Sequence, residues 1–113
     1  MKYMLMFVRD SEGWEDTATP EEMQAVYARI GEWWSRHSAS GAILEGHQLQ
    51  PASTATTVEP STGAVTDGPF LEAKESVGGY GIVEAADLDA VIAMAKTWPA
   101  SNKVEIRPLV EGM

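Results

Sequence analysis

The sequence predicts an α+β fold of the ferredoxin-like type, in the order βαβ, an inserted hairpin and βαβ. Each half of the chain carries a strand pattern, an amphipathic helix pattern and a second strand pattern, and turn-forming residues separate the halves. The chain has 113 residues, of which 44% are hydrophobic, enough for one packed core. We therefore expect residues 1–113 to form a single domain.

The first half of the chain contains the first predicted βαβ unit. Residues 2–8 are apolar on both alternating faces, which is typical of a central strand covered on both sides. The segment Thr19-Pro20-Glu21-Glu22 predicts a helix start, because it offers a capping box and a proline at the first helical position. The helix then shows one apolar stripe: Met23, Val26, Tyr27, Ile30, Trp33 and Trp34. Gly41 suits its C-terminus, and residues 42–49 follow as a strand.

A hairpin and a turn separate the two units. Residues 53–58 and 64–66 predict two short strands joined by the turn 59–63. The breaker Asp67-Gly68-Pro69-Phe70 follows. Residues 71–76 are expected to form a short polar stretch or one helical turn.

The second βαβ unit occupies the rest of the chain. Residues 78–84 predict its first strand, and Asp87 is placed to cap the second helix. The apolar stripe of that helix is Leu88, Val91, Ile92, Ala95 and Trp98. Pro99 ends the helix, and residues 103–109 alternate in polarity as a last strand.

Two helices cover only one face of a sheet, yet the first strand is apolar on both faces. The economical cover for the second face is the sheet of another subunit, packed face to face in a homodimer. A cavity between two such sheets is also suited to a small-molecule ligand.

Composition excludes several classes of partner and site. The formal net charge of −9 argues against nucleic acid and anionic membrane as partners. The absence of cysteine excludes disulfides, zinc-thiolate sites and thiol nucleophiles. No apolar run approaches the roughly 20 residues of a membrane span, and the apolar start is too short for a signal peptide. We expect a cytoplasmic protein with no cofactor and no metal, since no phosphate loop or histidine pair is present.

The segment around Asp67 is the densest in functional groups. Asp67 precedes Gly68-Pro69, where its carboxylate either caps the turn or acts as a general base at the edge of a cavity. Lys74 belongs either to a solvated surface turn or to a site that holds an anionic ligand. Composition does not separate these alternatives.

Three further side chains are candidates for ligand binding. Tyr80 alternates with two glycines, which predict close approach by a helix or a ligand on the face opposite the phenol. His47 is interpreted as solvent-facing, with an acid–base role as the alternative, whereas His37 is interpreted as a structural surface residue. Arg107 on the last strand either binds a carboxylate at a dimer interface or protects a sheet edge.

The central segment also resembles a known family. Thr66-Asp67-Gly68-Pro69-Phe70-Leu71-Glu72-Ala73-Lys74-Glu75 with Gly78-Gly79-Tyr80 is similar to the signature of the DGPF subgroup of YCII-related proteins. The likeness spans nearly the whole chain and includes Met4-Leu5-Met6, Leu49-Gln50-Pro51-Ala52, Ala55-Thr56-Thr57-Val58 and Val104-Glu105-Ile106-Arg107-Pro108. It implies a dimeric α/β-barrel, in which two ferredoxin-like units pair sheet to sheet.

The resemblance implies less about activity. Some YCII relatives use a His–Asp pair, and one branch removes halide from an aromatic-pathway intermediate. Their histidine lies near the N-terminal part of the chain, where this sequence has none before His37, so only Asp67 has a counterpart. Leu71 and Gly81 also depart from the residues typical of the family.

Two functions follow as alternatives. One is a protein that binds or transforms a small molecule in a dimer cavity near Asp67. The other is a non-catalytic regulatory or ligand-binding module, because DGPF proteins often accompany sigma factors of the extracytoplasmic type. Whether the chain is an enzyme stays open in the sequence.

Overall fold

The computed structural model describes residues 1–10, 18–68 and 75–111, which form a mixed α+β fold. Its helices and strands are, in chain order, β1 (Lys2–Asp10), α1 (Pro20–Ala39), β2 (Ile43–Gln48), β3 (Thr56–Glu59), β4 (Ala64–Asp67), β5 (Glu75–Glu84), α2 (Leu88–Lys96) and β6 (Val104–Pro108). The predicted α+β class is therefore confirmed. Neither helix of the described residues is long and apolar enough to cross a membrane.

Four strands form one antiparallel sheet in the order β2-β5-β1-β6. The two halves of the chain are interleaved in it, because β1 of the first unit pairs with both strands of the second. β1 is central, as its apolar pattern predicts. β3 and β4 pair separately, as the predicted hairpin.

β5 begins earlier than the sequence predicts. The strand expected over 78–84 starts at Glu75. Glu75 and Ser76, expected in a polar stretch or helical turn, instead continue β5 alongside β1. That expectation was wrong because a long neighbouring strand offers hydrogen-bond partners to backbone groups that a polar sequence alone does not assign. The remainder of the stretch, 71–74, lies outside the described residues.

Local capping fixes the helix ends as the sequence predicts. The Thr19 hydroxyl accepts a hydrogen bond from the Glu22 backbone N–H at 3.2 Å, and the Glu22 carboxylate accepts one from the Thr19 N–H at 3.3 Å. Gly41 follows the helix at a φ of +82°, a left-handed conformation that favours glycine. The Asp87 carboxylate caps α2 by accepting from the Ala90 N–H at 2.9 Å.

The core lies between the two helices and one face of the sheet. Its buried side chains are Tyr3, Leu5, Phe7, Trp33, Ile43, Val83 and Val91. Trp33 of α1 lies edge-on to Phe7 of β1 and to Trp98 beyond α2, with ring centroids 6.0 and 5.0 Å away. Its indole N–H donates to the Thr97 hydroxyl at 2.8 Å. The aromatic cluster therefore ties both helices to β1.

Trp34 packs α1 closely onto the sheet. A Cβ atom at Gly46 would lie 2.6 Å from Trp34 Cη2, and one at Gly81 would lie 3.0 Å from the same atom. Of the two interpretations of the glycines beside Tyr80, the structure shows helix packing at Gly81. The indole thus fixes the backbone of β2 and β5 immediately beside His47 and Tyr80.

Candidate functional site

The face of the four-stranded sheet that points away from α1 and α2, here called the open face, has an apolar centre. Side chains of a strand alternate between the two faces of its sheet. Met4, Met6, Tyr80 and Ile82 fall between residues buried against the helices and therefore point to the open face. Each of the four is half-buried. Together they form the floor of a candidate site.

Two parallel cross-strand rows order the open face. The first row runs from β2 to β6 through His47, Tyr80, Met6 and Glu105. The second row runs in the same direction through Glu45, Ile82, Met4 and Arg107. Charged groups and the imidazole therefore occupy the edge strands, while the central strands supply the apolar floor and one phenol.

His47 and Tyr80 are direct cross-strand neighbours. Their ring centroids are 5.8 Å apart, with the ring planes inclined at 50°. His47 is exposed and Tyr80 half-buried. An imidazole exchanges protons near neutral pH, and a phenol donates or accepts a hydrogen bond. This end of the open face therefore carries the groups that acid–base chemistry needs.

Arg107 lies at the opposite end of the open face. Its Nε–H donates to the Glu105 carboxylate at 2.9 Å, and its side chain is 72% exposed. Such an exposed pair stabilises the fold little. It does orient the guanidinium, whose remaining N–H groups are suited to a carboxylate or phenolate.

Asp67 lies on the separate β3–β4 hairpin and not on the four-stranded sheet that carries these groups. Asp67 is exposed at the end of β4, opposite Thr56 in the hairpin. The next residue, Gly68, has a φ of +97°, as expected for a glycine that the turn requires, and its N–H donates to the Ala55 carbonyl at 2.7 Å. Both interpretations of Asp67 stay predictions. Lys74 lies outside the described residues.

The sequence did not single out Met4, Met6, Ile82 or Glu45 as parts of a site. The signal was available in the strand alternation, which places Met4 and Met6 on the face opposite Leu5. What the sequence lacked was the strand order, because only that order sets His47, Tyr80 and Arg107 on one face.

His37 is less exposed than its interpretation as a surface residue implies. Its ring lies 4.7 Å from that of Trp33, and within the described part of the chain its Nε2 atom is buried without a hydrogen-bond partner. Burial, and secondarily the neighbouring Arg36 charge, lowers the pKa of His37. It belongs to the helical layer and not to the open face.

The helical layer carries a shallow groove of about 370 Å³ between α2 and β6. It is lined by Ile92, Ala95, Lys96, Trp98, Ala100, Asn102, Val104 and Ile106. None of the sequence-predicted site residues lines it. In the described ranges, no three histidine, aspartate or glutamate side chains converge to hold a metal ion.

Comparison with known proteins places this geometry in context. A family model of the YCII-related domain matches residues 1–111. An uncharacterized protein of Rhizobium meliloti (strain 1021) is 30% identical over 95 residues, which cover 79% of this chain and 77% of that protein.

A solved structure shares the fold. It is 5-chloro-2-hydroxyhydroquinone dehydrochlorinase from Burkholderia phenoliruptrix in complex with 2,5-dihydroxybenzoquinone. The TM-score is 0.54 at 16% sequence identity, and the alignment covers 99% of this chain and 96% of the other. At this identity the likeness concerns the fold alone.

Proposed function

Because the chain belongs to the YCII-related domain family, we propose that it is a homodimer that binds a small planar acidic molecule on the open face and exchanges a proton with it. We also assign it to the DGPF subgroup, on the strength of the segment Thr66-Asp67-Gly68-Pro69-Phe70 and of Gly78-Gly79-Tyr80.

The proposed assembly is a dimeric α/β-barrel. Its support is the strand order β2-β5-β1-β6, in which each βαβ unit brackets a strand of the other, as in ferredoxin-like folds. Further support comes from the apolar centre of the open face, since α1 and α2 pack on the other side of the sheet. A second copy of the same face would bury this centre and enclose a cavity.

The observation that carries the proposal is the placement of His47, Tyr80 and Arg107 around one apolar floor. Met4 and Ile82 offer an apolar surface for one side of a flat ring. His47 accepts a proton from a ring hydroxyl, and the Tyr80 O–H donates a hydrogen bond to the resulting oxyanion. Arg107 binds a second acidic group.

A hydroxylated ring is the proposed substrate class. The structural neighbour is described in complex with 2,5-dihydroxybenzoquinone, a planar ring with two acidic hydroxyls. Those features match an apolar floor flanked by an imidazole and a guanidinium. The comparisons do not favour the alternative of a regulatory module.

The test is calorimetric titration of the purified protein with 2,5-dihydroxybenzoquinone. We expect His47→Ala, Tyr80→Phe and Arg107→Ala each to weaken binding at least about tenfold, the loss of one charge-assisted or buried hydrogen bond. Tyr27→Phe is the matched control, because it makes the same chemical change on α1 and should bind as the parent does. No binding by the parent, or equal binding by every variant, would overturn the proposal.

The same titration assigns Asp67 and Lys74. If Asp67 is a general base or a ligand contact, the Asp67→Asn variant should bind the ligand as weakly as His47→Ala does. As a turn cap, it would leave binding intact and lower the melting temperature instead. If Lys74 holds the anionic ligand, the Lys74→Ala variant should likewise bind it more weakly than the parent does.

A further inference from the structure

We propose that each binding site on the open face is shared between two copies, with His47 and Tyr80 of one protomer facing the ion pair of Glu105 and Arg107 on the partner's β6. The inference rests on the proposed function, which supplies the dimer and the small acidic ligand. It adds which parts of the two sheets face each other and which residue the second copy contributes.

Distance is the first reason. Within one chain, His47 and Arg107 lie on opposite edge strands of the sheet. Three strand spacings separate them, or about 14 Å across the sheet. A single substituted ring is shorter than that, and the Arg107 guanidinium is held beside its own strand by Glu105 at 2.9 Å instead of reaching across the sheet. Facing sheets are only about 10 Å apart, and long side chains from both fill that gap.

The charges of the edge strands give the second reason. β2 presents Glu45 and His47 to the open face, and β6 presents Glu105 and Arg107. If β2 faced the partner's β2, two Glu45 carboxylates would meet without an arginine. If β2 faces the partner's β6, Glu45 lies near an arginine, and each of the two equivalent interfaces contains one arginine beside its carboxylates. The second arrangement is electrostatically better in a chain of net charge −9.

Symmetry completes the arrangement. A two-fold axis parallel to the strands and midway between the sheets carries β2 of one copy over β6 of the other. The two floors face each other across the enclosed cavity, and two equivalent sites form at its sides. His47 of one copy then lies over the partner's Glu105, because both occupy the same cross-strand row, and the partner's Arg107 is bound to that carboxylate at 2.9 Å. Each site combines the imidazole and phenol of one copy with the guanidinium of the other.

Cysteine cross-linking tests the arrangement without any ligand. The chain contains no cysteine, so an introduced thiol is unique. His47→Cys and Arg107→Cys proteins are prepared separately, mixed, allowed to exchange subunits and treated with a short bismaleimide. Glu32→Cys, exposed on α1, is the control for random collision.

We expect cross-linked dimer from the mixture of His47→Cys and Arg107→Cys, and only the level of the Glu32→Cys control from either variant alone. Strong cross-linking of His47→Cys with itself would show β2 over β2 and overturn the shared site while leaving the dimer. A dimer without any cross-link above the control would also overturn it. A parent protein that is monomeric by light scattering would instead overturn the proposed assembly.

Subunit complementation adds a functional readout with 2,5-dihydroxybenzoquinone as the probe. His47→Ala and Arg107→Ala should each bind poorly alone. Their equimolar mixture should regain about a quarter of the parent's binding capacity, because half of the dimers are mixed and each keeps one intact site of two. No recovery in a mixture that exchanges subunits would overturn the shared site, whereas no binding by the parent would overturn the proposed ligand class.

Discussion

The indole of Trp34 rests on Gly46 and Gly81, and this contact holds the backbone beneath His47 and Tyr80. Position 46 has no room for a side chain. An added Cβ would overlap the Trp34 indole and lie 2.9 Å from the Tyr80 carbonyl oxygen. The residues that could carry chemistry are therefore placed by a packing contact on the opposite face of the sheet.

We predict that Gly46→Ala destabilises the protein by about 1–3 kcal/mol, the usual cost of overpacking. Urea unfolding measures this. Because the clash is with the indole, Gly46→Ala combined with Trp34→Leu should cost less than the sum of the two single changes. Strict additivity would contradict the contact.

The half-buried imidazole of His37 predicts a pH dependence of stability. Its pKa is lowered in the folded protein, so the folded state binds the proton less readily than the unfolded chain does. The stability that depends on His37 is fully present above the pKa of the unfolded chain, about 6.5. It is lost as the pH falls from there through the lower pKa of the folded state. The free energy of unfolding of His37→Gln should therefore fall less than the parent's between about pH 7.5 and 5. Parallel curves for the two proteins would refute the prediction.

Among the elements, the hairpin β3–β4 depends on backbone conformation more than on packing. Its Val58 and Val65 form an exposed cross-strand pair. Gly68 at its exit holds a φ of +97° while its carbonyl accepts from the Thr57 hydroxyl at 2.8 Å. The hairpin ends correctly only if this residue tolerates the left-handed region.

We predict that Gly68→Ala lowers the free energy of unfolding by about 1–2 kcal/mol, the cost of a left-handed conformation for a residue with a Cβ. Among the described residues, and apart from its chain neighbours, no atom lies within 4 Å of the added Cβ, so we attribute the cost to backbone conformation. Gly31→Ala is the matched control: its Cβ also meets nothing within 4 Å, but it lies inside α1 and should stabilise the protein by up to about 1 kcal/mol. Equal effects of the two substitutions would contradict this account.

For the whole molecule, the open face predicts a dimer. Met6→Lys places a charge at the centre of the floor and should convert the dimer to a monomer, because burying an unpaired charge is costly. Light scattering at micromolar concentration measures the change. Val110→Lys, at an apolar residue that is 76% exposed, should remain dimeric. A monomeric parent, or a dimeric Met6→Lys variant, would refute the interface.

Much of the fold could be predicted because its signals are local. The capping box at Thr19 and the hairpin turn near Gly63 depend on neighbours in the sequence, and both occur where the sequence predicts them. The start of β5 at Glu75 could not be predicted in this way. Pairing with β1, distant in the sequence, extends that strand through polar residues.

The candidate site was likewise predictable in its local features and not in its long-range ones. His47, Tyr80 and Arg107 could be chosen from their chemistry and from strand alternation, and all three lie on the open face. The sequence centred the candidate site on Asp67, which lies on the hairpin and not on the four-stranded sheet, and its role stays a prediction. The motif and the candidate site need not coincide, because a motif is a stretch of consecutive residues, whereas a site on a sheet is formed by residues of neighbouring strands.

The sequence by itself determined the α+β class, the helix ends, the inserted hairpin and the need to cover a second apolar face. These follow from hydrophobic periodicity and turn chemistry, which act over a few residues. Only the tertiary structure decided which side chains share a row: it set His47 beside Tyr80 and carried Arg107 to the far edge strand. The physical reason is that strand order arises from pairing between distant segments, whose energies depend on how the whole core packs and not on any local pattern.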